Sequence, residues 1–337
     1  MNQALAMRPS ILVCRRIFPD VVARLREHFE VESNDADDVW SAAGLVERLQ
    51  GKDGVFVTGT QAIDGALLDA CPRLRAVCSL AVGYNNIDVA ACSARGVAVS
   101  NAPGVLTETT ADFGFALVMA AARRVTESER FLRRGEWTQW SVDLFAGSDV
   151  HGAVLGILGM GRIGQAIARR GAHGFAMPVL YHNRTPLADD VAGRLGARYV
   201  SRETLLREAD HVVVVVPYSA ESHHLVGAAE LALMKPTATL VNIARGGVVD
   251  DAALAAALRA GRPAAAGLDV FGGEPSVHPD LLALPNVVLT PHIASASLPT
   301  RRAMANLAAE NLICLLDPSV GRAPPTLLNP EVLAKRL

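Results

Sequence analysis

The chain has 337 residues, half of them apolar and 20% charged, with a formal net charge of −2. A single hydrophobic core stops growing well before that length, so two domains are expected. The near-neutral balance leaves no electrostatic footprint for nucleic acid or an anionic membrane, and basic pairs such as Arg133-Arg134 and Arg301-Arg302 read as solvated faces.

The N-terminal stretch MNQALAMRPSILV lacks a cleavable secretory pattern, because its apolar run starts after Arg8-Pro9 and leads straight into a strand. Short runs rich in Val, Ile and Leu then alternate with helical patterns, at 11–14, 54–57, 76–79, 97–99, 154–158, 179–181, 211–216, 239–242, 265–268 and 287–289. Strands of that kind, buried on both faces and separated by helices, indicate parallel sheets. About ten of them exceed one comfortable sheet. The expected fold class is therefore α/β, with two doubly wound parallel-sheet, Rossmann-like units. Residues 110–124 are apolar on most sides and suit a buried linking helix, and a second helix over 299–316 can cross back. Residues 1–106 and 294–337 then form one domain, discontinuous in sequence, and residues 107–293 the other.

Five cysteines (Cys14, Cys71, Cys78, Cys92 and Cys314) form no CxxC pair. An odd count without that spacing argues against a disulfide framework and a zinc site, so no metal is expected and a reducing cytoplasm fits. The longest apolar run, 113–122, is far below the ~18–20 residues that cross a bilayer.

The stretch VLGILGMGRIGQAIARR (154–170) runs from a strand into G-x-G-x-x-G and on into a helix over 162–170. Gly159 permits the tight turn, Gly161 lets the backbone approach a pyrophosphate, and Gly164 lets helix pack on strand. The helix N-terminus at Arg162 and Ile163 offers free N–H groups and its positive dipole end to the phosphates. A dinucleotide is expected there. The end of the second strand distinguishes which one, since an NAD site places Asp or Glu there on the ribose 2′-hydroxyl. This chain instead reads His182-Asn183-Arg184-Thr185, and the next acid is Asp189. Asn183, Arg184 and Thr185 supply donors and a positive charge for a 2′-phosphate, so NADP is expected over NAD.

Three more stretches carry chemistry. TLVNIARGGVVD (239–250) sets Arg245 just after a buried strand, DVFGGEP (269–275) sets Asp269 and Glu274 after another, and TPHIASAS (290–297) sets His292 after a third. Open α/β sheets bind ligands outside the carboxyl ends of their strands. Arginine, glutamate and histidine converging there suit reduction of an anionic carbonyl compound.

Six stretches in order carry a family resemblance: VCSLAVGYNNID (77–88), NAPGVLTETTADFGFAL (101–117), LGILGMGRIGQAIARR (155–170), VNIARGGVVD (241–250), GLDVFGGEP (267–275) and TPHIASAS (290–297). Over nearly its whole length the chain resembles the D-isomer-specific 2-hydroxyacid dehydrogenases, and among them the glyoxylate/hydroxypyruvate and 2-ketogluconate reductase branch. The resemblance implies that 107–293 binds NADP and that 1–106 with 294–337 binds a small 2-keto acid. It implies His292 as acid/base, Glu274 as its partner and Arg245 as the substrate clamp. A protonated imidazole can supply the proton that the carbonyl oxygen needs after hydride arrives at C2. A carboxylate on the other ring nitrogen holds that ring charged, and a planar guanidinium fork reaches carboxylate and carbonyl together.

By the same resemblance, Ala81, Val82 and Gly83 form a loop whose N–H groups receive the substrate carboxylate, and Ser295 adds a hydroxyl to the substrate. Asp269 corresponds to the residue that holds the nicotinamide carboxamide, and Thr107, Val216, Pro217, Ile243, Ala244 and His292 to cofactor-lining positions. Trp137 and Trp140, in GEWTQW, fall in a segment from which a tryptophan reaches the neighbouring subunit's site, which implies a homodimer; which of the two does so stays open. Phosphite dehydrogenase carries a lysine where this loop has Ala81-Val82, and formate dehydrogenase a glutamine where this chain has Glu274. Many phosphoglycerate dehydrogenases add a regulatory domain, and the dinucleotide-sensing corepressors add long disordered flanks. Glyoxylate, hydroxypyruvate and 2-ketogluconate all remain open as substrates.

Overall fold

The structure is a computed structural model and describes residues 8–334. Residues 1–7 of the stretch read above for a secretory pattern lie outside the described residues. The described residues form two compact units, one running up to Leu106 and resuming at Ser297, the other being Thr107–Ala296. The return junction follows Ala296, a little beyond the 293/294 expected.

The first unit is built on five parallel strands: β1 (Ser10–Val13), β2 (Glu30–Ser33), β3 (Gly54–Val57), β4 (Ala76–Ser79) and β5 (Ala98–Ser100). Their order in the sheet is β2-β1-β3-β4-β5. Leu12, Val55, Val57, Val77 and Val99 bury one face in a common core. Against the sheet lies the helix Leu298–Leu316, which packs on β3, β4 and β5 and whose N-cap Ser297 accepts the Thr300 N–H. The approach is close. A Cβ on Gly54 would lie 2.5 Å from Leu316 Cδ1, so any larger residue there would have to push the leucine side chain aside.

The second unit holds seven parallel strands: β6 (Leu155–Leu158), β7 (Val179–His182), β8 (Ala197–Tyr199), β9 (His211–Val214), β10 (Thr239–Asn242), β11 (Ala265–Leu268) and β12 (Val287–Leu289). They lie in the order β12-β11-β10-β9-β6-β7-β8. The helix Thr107–Ala122, expected over 110–124, begins and ends slightly earlier and packs on β10 and β11 through residues such as Ala111, Leu117 and Val118.

The expected α/β class with two parallel sheets stands. The strand number needs correcting, from about ten to twelve among the described residues. Both additions, β2 (EVES) and β8 (ARY), are edge strands with partly exposed side chains. Such strands lack the continuous apolar run by which an inner parallel strand is recognised. The strand expected over 211–216 also stops early, at Val214.

Among the described residues, no helix is long and apolar enough to cross a membrane, and no group of His, Cys, Asp and Glu could hold a metal ion. All five thiols are free, and burial pushes those of Cys14, Cys78 and Cys92 up to about 12. The order of strands reverses at β1/β3 in one sheet and at β6/β9 in the other. The crevices outside the carboxyl ends of strands at such points are where open α/β sheets bind ligands.

Candidate active site

At the β6/β9 reversal the chain leaves β6 into the glycine loop. Gly159 has φ +103, and a Cβ on it would lie 2.8 Å from the Val215 carbonyl. A Cβ on Gly164 would lie 2.2 Å from the Gly159 oxygen, so the following helix sits hard against the loop. Gly161 differs, because a Cβ there would meet no atom within 4 Å. It opens onto free space at the start of the helix Arg162–Arg169, whose N-terminus has no side-chain cap. Uncapped first-turn N–H groups beside an open backbone fit a dinucleotide pyrophosphate. Arg162 is exposed and Ile163 half-buried at that terminus.

The end of β7 touches this loop directly. Asn183 accepts the Met160 N–H on its Oδ1 at 2.6 Å, which leaves the amide nitrogen as a donor. Arg184 and Thr185 are exposed. The Glu221 carboxyl is held below its ordinary value, first by the Ser219 hydroxyl and also by the charge of Arg184, so this cationic spot has an acidic neighbour. Val216 and Pro217 follow β9, Ile243 and Ala244 are buried just after β10, and Thr107 opens the long helix.

The carboxyl ends of β10, β11 and β12 lead into the segments that carry Arg245, Glu274 and His292. Arg245 follows β10 in a loop that presses on its neighbour: a Cβ on Gly246 would lie 1.6 Å from the Phe271 oxygen. The guanidinium donates to the Ala244 carbonyl at 2.7 Å. Burial pulls its pKa down, while the Glu274 carboxylate acts to hold it up. His292 Nδ1 lies 2.7 Å from Glu274 Oε2, and the other carboxylate oxygen accepts the Phe271 N–H at 3.0 Å. Burial acts to raise the Glu274 carboxyl, but the His292 bond and charge, the Phe271 N–H and Arg245 together hold it below the carboxylate range. The His292 side chain is 45% exposed, and its Nε2 makes no hydrogen bond among the described residues.

His292 has φ +55, the left-handed region that few non-glycine residues adopt. Asp269 accounts for it. Its fully buried carboxylate accepts the Thr290 hydroxyl at 2.7 Å and the Ile293 N–H at 2.8 Å on one oxygen, and the Ala294 N–H at 2.8 Å on the other. Those bonds bracket His292 on both sides. The sequence alone does not reveal this anchoring of the histidine loop, since the family resemblance gives Asp269 only a cofactor role. Ser295, half-buried, follows the anchored segment.

In the other unit, Ala81, Val82 and Gly83 follow β4, and Leu80 precedes them. The Ala81 carbonyl accepts the Ala102 N–H at 3.1 Å and the Val82 carbonyl accepts Asn101 Nδ2 at 2.7 Å. With its carbonyls tied back, the loop can offer the Val82 and Gly83 N–H groups to an anion. Trp137 and Trp140, 54% and 74% exposed, follow the helix Val125–Arg133, which buries none of its residues.

The family model described as the D-isomer specific 2-hydroxyacid dehydrogenase, NAD binding domain, matches residues 115–294. The chain is 47% identical to a glyoxylate reductase of Thermococcus onnurineus over 334 residues, 98% of each chain. Among solved structures it is similar to an NADPH-dependent glyoxylate/hydroxypyruvate reductase of Sinorhizobium meliloti in complex with NADP and malonate. That match has a TM-score of 0.83 and 38% identity, covering 95% of this chain and 97% of the other. It is also similar to the D-mandelate dehydrogenase of Rhodotorula graminis, with a TM-score of 0.83 and 28% identity over 95% of this chain and 97% of that one.

Proposed function

The chain belongs to the D-isomer-specific 2-hydroxyacid dehydrogenases, in the glyoxylate reductase branch, and from that membership we propose that it reduces small 2-keto acids to D-2-hydroxy acids with NADPH. Glyoxylate and hydroxypyruvate are the first candidates and 2-ketogluconate the third. The observation that carries the reading is the 2.7 Å bond between His292 and Glu274 with the Arg245 charge beside it, at the ends of adjacent strands.

The dinucleotide, when bound, supplies the hydride that C2 of the keto acid receives. His292 gives the proton that the carbonyl oxygen then takes, from the Nε2 that makes no hydrogen bond among the described residues. Glu274 keeps the ring charged and fixes its orientation through Nδ1. Arg245 holds the substrate carboxylate and polarises the carbonyl. Val82 and Gly83, with Ala81, take the carboxylate on backbone N–H groups, and Ser295 adds a hydroxyl. Asp269 holds the histidine loop in register and, by the family resemblance, would receive the nicotinamide carboxamide.

Gly159, Gly161 and Gly164 with Arg162 and Ile163 would hold the pyrophosphate. Thr107, Val216, Pro217, Ile243 and Ala244 would line the cofactor, and Asn183, Arg184 and Thr185 would take the 2′-phosphate of NADP. The NADPH dependence of the Sinorhizobium relative supports that cofactor, with NAD weaker. The 107–296 unit is then the NADP-binding domain and the other unit the substrate-binding domain. We read the protein as a cytoplasmic homodimer, the free thiols supporting the first term and the exposed Trp137 and Trp140 the second. Initial rates with glyoxylate, hydroxypyruvate and 2-ketogluconate, each with NADPH and NADH, test the reading. Keto-acid-dependent oxidation of NADPH is expected, and its absence across the panel would sink the assignment.

A further inference from the structure

The five-stranded sheet has a switch point of its own, between β1 and β3, where a ligand crevice is expected outside the carboxyl ends of the strands. A cavity of about 630 Å³ lies there. Arg16 and Ile17 line it from the end of β1, Thr58 from the end of β3 and Leu80 from the end of β4, with Arg26 and Arg301 from two helices. That size is in the range of small-molecule sites.

Its walls have two characters. Ile17, Phe18, Val22 and Leu80 are the apolar part of the lining, and Arg16, Arg26 and Arg301 share it with one carboxylate, Asp35. Asp35 already accepts the Ser33 hydroxyl at 2.7 Å. The guanidinium groups of Arg16 and Arg26 make no ion pair or hydrogen bond among the described residues. Asp37 feels the charge of Arg16, but both its oxygens are held by Arg15, at 2.7 and 3.0 Å. The neighbouring Arg302 differs, being paired with Asp20 at 2.5 Å and lying 4.6 Å over the Phe18 ring. Apolar residues beside the Arg16 and Arg26 guanidiniums suit a short aliphatic chain ending in an oxyanion.

Leu80 joins this cavity to the loop of Ala81, Val82 and Gly83. We propose that the cavity receives the tail of a dianionic 2-keto acid, one whose far end carries a carboxylate or phosphate. The proposal rests on the reaction given above, in which the 81–83 loop takes the near carboxylate. Arg16 and Arg26 then act as specificity residues for the far one. Glyoxylate has no tail, so it leaves the cavity to water.

The test compares 2-ketoglutarate with 2-ketovalerate, which share a skeleton and differ only in the terminal carboxylate. The full chain with NADPH should favour 2-ketoglutarate in kcat/KM. That ratio should fall about tenfold in Arg16→Gln and again in Arg26→Gln, the size of one lost charge-assisted hydrogen bond. Thermal melts of the variants show whether they remain folded, and Arg16→Lys should recover part of the ratio if charge alone contributes. A wild-type ratio near unity, or one unmoved in both folded variants, overturns the proposal. Turnover of the glyoxylate, hydroxypyruvate and 2-ketogluconate panel separates the two readings: if it is absent throughout, the proposed reaction fails and the cavity is judged by calorimetry with succinate against butyrate. Selective succinate binding that Arg16→Gln abolishes supports the oxyanion cavity, and equal or no binding overturns it. Inorganic phosphate that binds without any discrimination between the keto acids makes this a free-anion site, which overturns the tail assignment.

Discussion

Glu274→Gln removes one charge from the site while keeping the side chain's shape. The carboxylate now takes the Phe271 N–H on one oxygen and faces His292 Nδ1 with the other. Glutamine can keep the Phe271 contact through its carbonyl, but its amide NH₂ then points at Nδ1. A ring that accepts at Nδ1 is a neutral ring, so the substitution favours the uncharged imidazole. A hydrogen bond to a charged group contributes about 1.5–3 kcal/mol when buried. Here the histidine side chain is 45% exposed and the glutamate 33%, so solvent screening brings the effect to about 1.4 kcal/mol, or one pH unit. Keto-acid reduction uses the protonated ring and is lost as pH rises. Its alkaline limb in kcat/KM should therefore move about one unit to lower pH. Oxidation of the hydroxy acid uses the neutral ring, and its acidic limb should move the same way by a similar amount. Glu274 itself is held below the carboxylate range, so in the wild type its contribution persists through neutral pH and disappears only as pH falls through that depressed value. Both profiles are measured with saturating cofactor. Limbs that stay where they are would refute the coupling and leave Glu274 as a turn residue beside Pro275.

Arg184→Asp sets a second carboxylate near Glu221 and should lower the NADPH-to-NADH ratio of kcat/KM by about 10²-fold; a wild-type enzyme that prefers NADH defeats the reading of the β7 terminus. Arg245→Lys keeps the charge but not the planar fork, and should lose about 10²-fold or more in kcat/KM, so a near-normal lysine variant removes the clamp assignment. The glycines of the cofactor loop should separate binding from folding. Gly161→Val meets open space, so its Tm should hold while KM for the dinucleotide rises about tenfold or more. Gly164→Ala collides with the Gly159 oxygen and should lose about 1–3 kcal/mol of stability in denaturant titrations. The opposite pattern in the two variants would contradict the geometry.

Legibility in the sequence followed burial. Inner strands such as β3 and β10, buried at every residue, stand out as unbroken apolar runs, whereas β2 and β8 face solvent at the sheet edges and carry no such run. The placement of Arg245, Glu274 and His292 was legible because each follows a strand at its carboxyl end. Two acids five positions apart, Asp269 and Glu274, do not announce which holds the ring and which holds the loop. That division depends on one being fully buried behind residues 290–294 and the other only partly covered. The bond from Met160 to Asn183 was equally hidden, since it requires β6 and β7 to be neighbours before it means anything.

The packing of the helix Leu298–Leu316 on β3, β4 and β5 also bears on how the protein is made. Translation delivers the first five strands early, yet the helix that covers them emerges only after the whole of the intervening unit. At roughly 5–20 residues per second, the gap is on the order of ten to forty seconds. During it Thr107–Ala296, continuous in sequence, can finish its own core on the ribosome, while one face of the five-stranded sheet waits uncovered. Nascent chains stalled just before the helix should thus yield a protease-resistant second unit and a sensitive first one. Equal resistance in both would mean that the sheet closes without its helix.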